Sequence, residues 1–502
     1  MSRRLALTAL LAASALAFAA PVRYAEDRAP AIVNPLFATS MSEARLNELV
    51  FEGLFADDQD LRSTPKLALA WELAEDRMSM RVRLRQGVLW HDGEPFTADD
   101  VLFTINAMRN PTTASTEAGR VAWIRSATKV SELELDLTFV APEYSPQDKL
   151  HFKIVPAHAF KSTAVSRTDA FRTSPIGTGP YRVAKFNDDN SISMDRWGGY
   201  WGTSYVDTFV LREVADPNYQ AKLLSYDSLE SLVRVLPRDL ATLRADRRVE
   251  LYPYQTNSWW YIGFNQRKAN LQEPEVRKAL SLMVDASSLL APIGTGELLS
   301  GPFVRSSPFY NHDVPVSQAD PERAAALLTE AGYQRTASSW VRNGEPLTLQ
   351  IVTQQNLETA QDVVINLQAQ LQRQGVEVKP VFLTPADWKQ RVWREGDFDL
   401  VLSQWSFDRN EDIYEQFHSK GSRNFVHFKE EAVDTLLDQA REAADPQRKK
   451  ALMRQVHAHI AQDNPMIFLW TLDSYSAVST RIQHVVIHPF YYFTWANEWT
   501  TN

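Results

Sequence analysis

Two short segments carry residue types that hold small molecules: Thr353-Gln354-Gln355-Asn356 and Gln404-Trp405-Ser406-Phe407-Asp408. The first offers a hydroxyl and neutral side-chain amides, and the second sets an indole and a phenyl ring beside a carboxylate. An indole presents a broad apolar face to a side chain or a cation. Position gives these segments their weight. The pattern predicts a strand over 347–352, a helix over 358–374 stopped by Gly375, and a second strand over 376–382. A helix opened by Thr384-Pro385 and reaching about Arg394 follows, then a third strand over 398–402. Strands alternating with helices imply right-handed crossovers and a parallel sheet. Ligands of such sheets bind beyond the carboxyl ends of the strands, which is where both segments fall.

Reactive chemistry has no comparable support, and no catalytic residue is assigned. Gly294-Thr295-Gly296 lacks the spacing and the Lys-Ser/Thr of a phosphate loop. In Gly177-Thr178-Gly179-Pro180 the proline removes an amide where an anion would sit. His457 and His459 stand two apart on different helix faces, a poor metal pair that reads as two partly exposed histidines. His91-Asp92 reads as a surface turn, and no pair of carboxylates has a spacing that implies general acid-base work. No cofactor and no resident metal is expected.

The elements around these segments are well punctuated. Met80 to Arg85 alternates, so Val82 and Leu84 face a core and Arg81, Arg83 and Arg85 face out. A Gly87 turn and a wet aromatic, Trp90, lead to Thr97, which with Asp100 forms a helix start. Leu133, Leu135, Leu137 and Phe139 alternate with polar residues as a half-buried strand. Pro274 opens a helix with Val276, Ala279, Leu280 and Met283 on one face. Asp320-Pro321, closed by Gly332, brackets another.

With 502 residues, 44% of them hydrophobic, the chain is long enough for roughly two to four domains. A net charge of −9 with no cationic cluster argues against nucleic acid as a partner. Met1–Ala19 has the basic start, apolar middle and Ala17-Phe18-Ala19 end of a cleavable export signal, shorter than a membrane span. With no cysteine, neither disulfides nor a lipidated cysteine anchor is expected. The mature chain is therefore expected to be a soluble periplasmic protein.

Residues Leu84 to Val101, L-R-Q-G-V-L-W-H-D-G-E-P-F-T-A-D-D-V, resemble the signature of family 5 extracellular solute-binding proteins, the peptide and nickel receptors of ABC importers. Other stretches follow in family order: N-P-L-F-A-T-S from Asn34, V-F-E-G-L-F from Val50, S-P-I-G-T-G-P-Y from Ser174, R-W-G-G-Y-W-G from Arg196, E-V-R-K-A-L from Glu275, W-S-F-D from Trp405 and N-P-M-I-F-L from Asn464. The resemblance implies an α/β, two-lobed periplasmic-binding-protein fold closing on ligand. It places lobe I at 20–264 plus 476–502, with an inserted subdomain at about 45–173, and lobe II at 265–475. It implies a monomer delivering a peptide or peptide-like solute to the membrane subunits of an ABC permease.

Peptide-binding relatives have a tryptophan followed three positions later by an aspartate that pairs with the peptide amino terminus, which points to Trp405 and Asp408. The alternative is a core tryptophan and a capping aspartate. Thr39, Ser40 and Met41 either lend main-chain hydrogen bonds along a ligand or end a core strand. Trp259 and Trp260 either line the ligand site or pack in the core. Three departures from the family pattern stand out. Glu411-Asp412 replaces Asp-Pro, so that with Asp408 an acidic cluster favours a more cationic ligand. Thr353, Gln354, Gln355 and Asn356 stand where dipeptide receptors carry a basic residue. Ser225-Tyr226-Asp227-Ser228 replaces a Gly-Glu-x-Asp stretch. His418 and His427 flank the loop after Asp408 and leave a nickel-chelate cargo as an alternative, beside an opine or a sugar. A secreted hydrolase and a periplasmic peptide chaperone are the alternatives of a different class.

Overall fold

The computed structural model describes residues 20–254, 257–357, 359–407, 411–443 and 445–501. The export signal, Met1–Ala19, lies outside them. The described residues divide into two compact units. One is drawn from Met1–Val235, Ala241–Tyr252 and Ser476–Asn502, the other from Leu236–Leu240 and Pro253–Tyr475.

The first unit is organised by β1 (Val22–Glu26), α1 (Met41–Val50), β2 (Ser79–Leu84), α2 (Ala98–Arg109) and β3 (Thr208–Glu213). In its seven-stranded sheet β1 lies between Ser231–Leu232 and β3, parallel to both. Tyr24, Leu46, Leu49, Phe209 and Trp499 pack its core. A separate four-stranded antiparallel sheet holds β2 between Ala68–Leu73 and Glu134–Phe139. Its second core joins Met80, Val82, Leu84, Leu135 and Leu137 to Val101 and Ile105 of α2. Arg81 and Arg83 are exposed, as period-two alternation requires. At the start of α2 the Thr97 amide donates to Asp100 Oδ2 at 2.9 Å, a partner for one amide of the first turn.

Two sequence expectations for this unit change. Trp90 is not wet: it is fully buried, and its indole donates to Asp100 at 3.3 Å. His91 is not in a surface turn either. Its amide donates to Gly177 O at 3.0 Å, its Nδ1 accepts the Gly177 amide at 3.2 Å, and its Nε2 lies 3.0 Å from Gly179 O. Gly177 and Gly179 in turn sit against the last turn of α1. A Cβ on Gly177 would lie 1.8 Å from Val50 O.

The second unit contains β4 (Ser258–Phe264), α3 (Pro274–Leu282), α4 (Pro321–Glu330), β5 (Thr348–Gln354), α5 (Ala360–Arg373), β6 (Glu377–Leu383), β7 (Leu400–Ser406) and β8 (Met466–Phe468). The five strands form one sheet in the order β6-β5-β7-β4-β8. β5 runs parallel to β6 and β7, while β4 runs antiparallel to β7 and β8. Apart from the short stretch Leu236–Leu240, the chain enters this unit between Tyr252 and Pro253 rather than near Phe264, because β4 is a strand of this sheet. It leaves between Tyr475 and Ser476. Among the described residues no helix is long and apolar enough to cross a membrane.

Candidate functional site

The chain order reverses at β5: the next strand, β6, lies on one side of it and the one after, β7, on the other. After β5 the chain enters α5, whose Val363, Val364, Leu367 and Leu371 pack with Trp260, Ile262, Ile351 and Leu402 on one face. After β6 it turns through Pro385–Trp388 and Lys389–Glu395, and Trp388 and Val392 pack with Trp259, Tyr261, Val352, Val401 and Trp405 on the other. Where the strand order of an α/β sheet reverses, a crevice is expected between the two strands that flank the reversal, here β5 and β7, at their carboxyl ends. The register follows suit. β5 pairs with β7 only at Ile351–Leu400 and Val352–Val401, after which the two strands part.

Aromatic rings floor this end of the sheet. Trp405 is the direct register partner of Trp259 across β7 and β4. Its ring stacks on Tyr261 at 6.2 Å with 6° between planes, and meets Phe425 at 5.7 Å and Phe407 at 6.5 Å. Trp259 stacks on Phe407 at 6.0 Å. Trp405 is 9% exposed and Trp259 only 1%. The Nε1 atoms of Trp259, Trp388 and Trp405 and the Oγ1 of Thr353 are buried without an acceptor or donor among the described residues. Buried polar groups normally find partners, so a cluster of unpaired ones is suited to a molecule that supplies oxygens. Burial also pushes the Tyr261 hydroxyl up, keeping it protonated.

The other predicted residues scatter. Gln354 ends β5, and the Gln355 amide donates to Leu383 O at 2.9 Å, leaving the side chains of Gln355 and Asn356 exposed beside the crevice. Trp260 points into the opposite core, 6.3 Å from Trp470. Asp408 lies outside the described residues. Thr39, Ser40 and Met41 are exposed in the first unit and do not form a strand. Ser40 caps α1 in a capping box with Glu43, whose Oε2 takes the amides of Thr39 and Ser40 at 2.6 and 3.0 Å. Those two main-chain donors are therefore already used.

Two members of the expected acidic cluster already have partners within the protein. Glu411 is buried and accepts from Asn257 Nδ2 at 2.9 Å and from the Ser307 hydroxyl, while Asp412 pairs with Arg441 at 2.9 Å. The histidines do not gather. His418 is buried, stacked on Tyr414 at 4.2 Å, with its Nδ1 accepting the Lys420 amide. Among the described residues no group of three histidine or carboxylate side chains is placed to hold a metal. His457 is buried between Ser300 and the Asn311 amide, and burial holds it at about 4. It is not the partly exposed histidine that its helix position suggests. Sequence reasoning missed Trp388, Phe425, Asn257 and Ser307. Trp388, just inside the Thr384-Pro385 helix start, is the one with a local signal.

The profile of bacterial extracellular solute-binding proteins, family 5 Middle, matches residues 62–424. The chain belongs to that family. Among family 5 relatives, oligopeptide-binding protein AppA of Bacillus subtilis (strain 168) is 24% identical over 482 residues, spanning 92% of this chain and 88% of AppA. The solved structure of AppA from Bacillus subtilis in complex with a nonapeptide aligns with a TM-score of 0.76 at 23% identity, covering 96% of this chain and 99% of that one. NikZ from Campylobacter jejuni in complex with Ni(L-His) aligns at 0.79 and 23% identity, with 96% and 99% covered. This family 5 chain thus shares the fold of solute-binding proteins whose cargoes differ.

Proposed function

We propose that this protein is the periplasmic receptor of an ABC importer, a monomer that captures peptides or peptide-like solutes and passes them to a membrane permease without transforming them. What supports this reading is the switch point where β5 and β7 part, with Trp405, Trp259 and Tyr261 packed together on β7 and β4 and Gln354, Gln355 and Asn356 at the end of β5. Peptide main chains supply the oxygens that buried indole donors lack, and their side chains lie well on aromatic faces. The similarity to an oligopeptide-binding protein supports peptide as the cargo class. In this reading Asp408 takes the ammonium of the peptide amino terminus, a charge that needs a carboxylate once it leaves water.

The test is calorimetric titration of purified protein with peptides carrying a free or an acetylated amino terminus. Asp408→Asn weakens the free form by about a hundredfold or more and leaves the acetylated form nearly unchanged. Equal loss for both forms removes Asp408 from the site. A chain that binds no peptide removes the proposed cargo.

A further inference from the structure

Asp408, the acid proposed to take the peptide amino terminus, stands in sequence between two points that the same residue holds. On the near side Phe407 extends the β4–β7 ladder by one step, its amide donating to Asn257 O at 2.8 Å. The Phe407 ring stacks on Trp259 at 6.0 Å and meets Trp405 at 6.5 Å. On the far side Asn257 Nδ2 donates to Glu411 Oε1 at 2.9 Å. Main chain and side chain of Asn257 thus hold the chain on both sides of residues 408–410, and Asn257 is itself buried.

The chemistry of the far contact specifies a carboxylate. The Ser307 hydroxyl accepts the Phe309 amide at 3.1 Å and gives its one proton to Glu411 Oε2. Asn257 and Ser307 are therefore both donors to Glu411, and all three residues are buried. An amide at position 411 would turn its own N–H toward one of those donors. The backbone adds a second sign. Glu411 has a φ of 48°, in the left-handed region that glycine enters at no steric cost. A glutamate there is kept by what its side chain binds. The next residues fix the anchor: Asp412 accepts the Tyr414 amide at 3.0 Å and pairs with Arg441 at 2.9 Å, and Ile413 is fully buried.

We propose that Asn257 and Glu411 form a clasp of positioning residues that sets where Asp408 stands, and with it the preference for cargo with a free amino terminus. A short span anchored at both ends on one buried side chain leaves its carboxylate few arrangements, so less freedom is lost when an ammonium binds. The clasp acts through the geometry of the chain and not by contact with cargo. This inference rests on the peptide reading and on the role of Asp408 within it.

The experiment titrates the full chain with an oligopeptide pool in free and amino-acetylated forms and reads the ratio of the two affinities. Glu411→Gln and Asn257→Asp each lower that ratio about tenfold. Combined in one chain they bring it back to within about threefold, because the new amide donates to the new carboxylate and still accepts from Ser307. A merely structural role does not yield that recovery. A ratio unmoved by either single change, or not recovered by the pair, overturns the clasp while Asp408→Asn still decides the peptide reading. If no peptide binds, or Asp408→Asn leaves the ratio unchanged, it is the reading that fails, and hydrogen exchange of the cargo-free chain then decides the clasp. Amides of residues 407–413 exchange about tenfold faster in each single variant and recover in the combined one, with α5 as the unchanged reference. Exchange unaltered in the single variants overturns the proposal.

Discussion

His91 and Gly177 hold each other by two hydrogen bonds: the His91 amide donates to Gly177 O, and the Gly177 amide donates to His91 Nδ1. With Nε2 facing Gly179 O, the ring is held as the neutral tautomer protonated at Nε2. Two sequence blocks more than eighty residues apart are thereby locked together.

That lock predicts an acid-sensitive fold. Burial takes His91 from about 6.5 down to about 4, and His457 in the other unit behaves alike. The unfolded chain binds these protons near pH 6.5 and the folded chain only near pH 4, so stability falls as pH drops between those values and is level above them. Each histidine contributes a slope of roughly 1.4 kcal/mol per pH unit in that window. Urea unfolding at about pH 7.5 and about pH 5 measures it. His91→Gln lowers the slope in the first unit. An unchanged slope would separate His91 from acid sensitivity.

The glycines facing His91 tolerate no side chain. Gly177→Ala drives its Cβ into Val50 O, and both partners are backbone, so the clash cannot be relieved by a rotamer. A loss of about 3 kcal/mol or more is expected, read as a lower thermal midpoint. Gly198→Ala, where a Cβ meets nothing within 4 Å, is the matched control and should stay within about 0.5 kcal/mol.

Arg277 is the buried cation of the second unit, 1% exposed. It donates to the carbonyls of Leu271, Gln272, Asp463 and Asn464 and to the Asp463 carboxylate at 2.6 Å. A lysine cannot reproduce that fork. Arg277→Lys and Arg277→Met should each cost about 3 kcal/mol or more by leaving buried carbonyls unpaired. Chemical denaturation of the two variants checks it.

Trp405 allows packing and hydrogen bonding to be told apart. Its indole N–H has no acceptor among the described residues, so losing that donor costs the empty protein nothing. Trp405→Phe should therefore be far less destabilising than Trp405→Ala, for which about 3 kcal/mol or more is expected. Peptide affinity should fall in both variants if the indole donates to cargo. Thermal melts paired with calorimetry give the two readouts, and undiminished affinity of Trp405→Phe would confine the indole to packing.

The elements whose signals are local were legible in the sequence. The alternation of Val82 and Leu84, the Asp320-Pro321 cap and the β5-α5-β6 run all follow from neighbouring residues. Residues whose surroundings come from distant chain were misread. Trp90 and His91 look exposed until Asp100 and the glycines of 177–179 are brought to them. Glu411 and Asp412 read as free charge because Asn257, Ser307 and Arg441 lie far away in the chain.

β4 is an early strand of the second unit, yet both its neighbours come late: β7 ends at Ser406 and β8 at Phe468. In the first unit the strand pair Ser231–Leu232 likewise waits for Ser474–Ser479. Neither sheet is complete until the last tenth of the polypeptide has been delivered. Such distant pairings must overcome large loop-closure entropy, which makes folding slow. The four-stranded sheet of the first unit draws all its strands from residues 68–139, so it is free to form early, while the two larger sheets close only when the tail arrives.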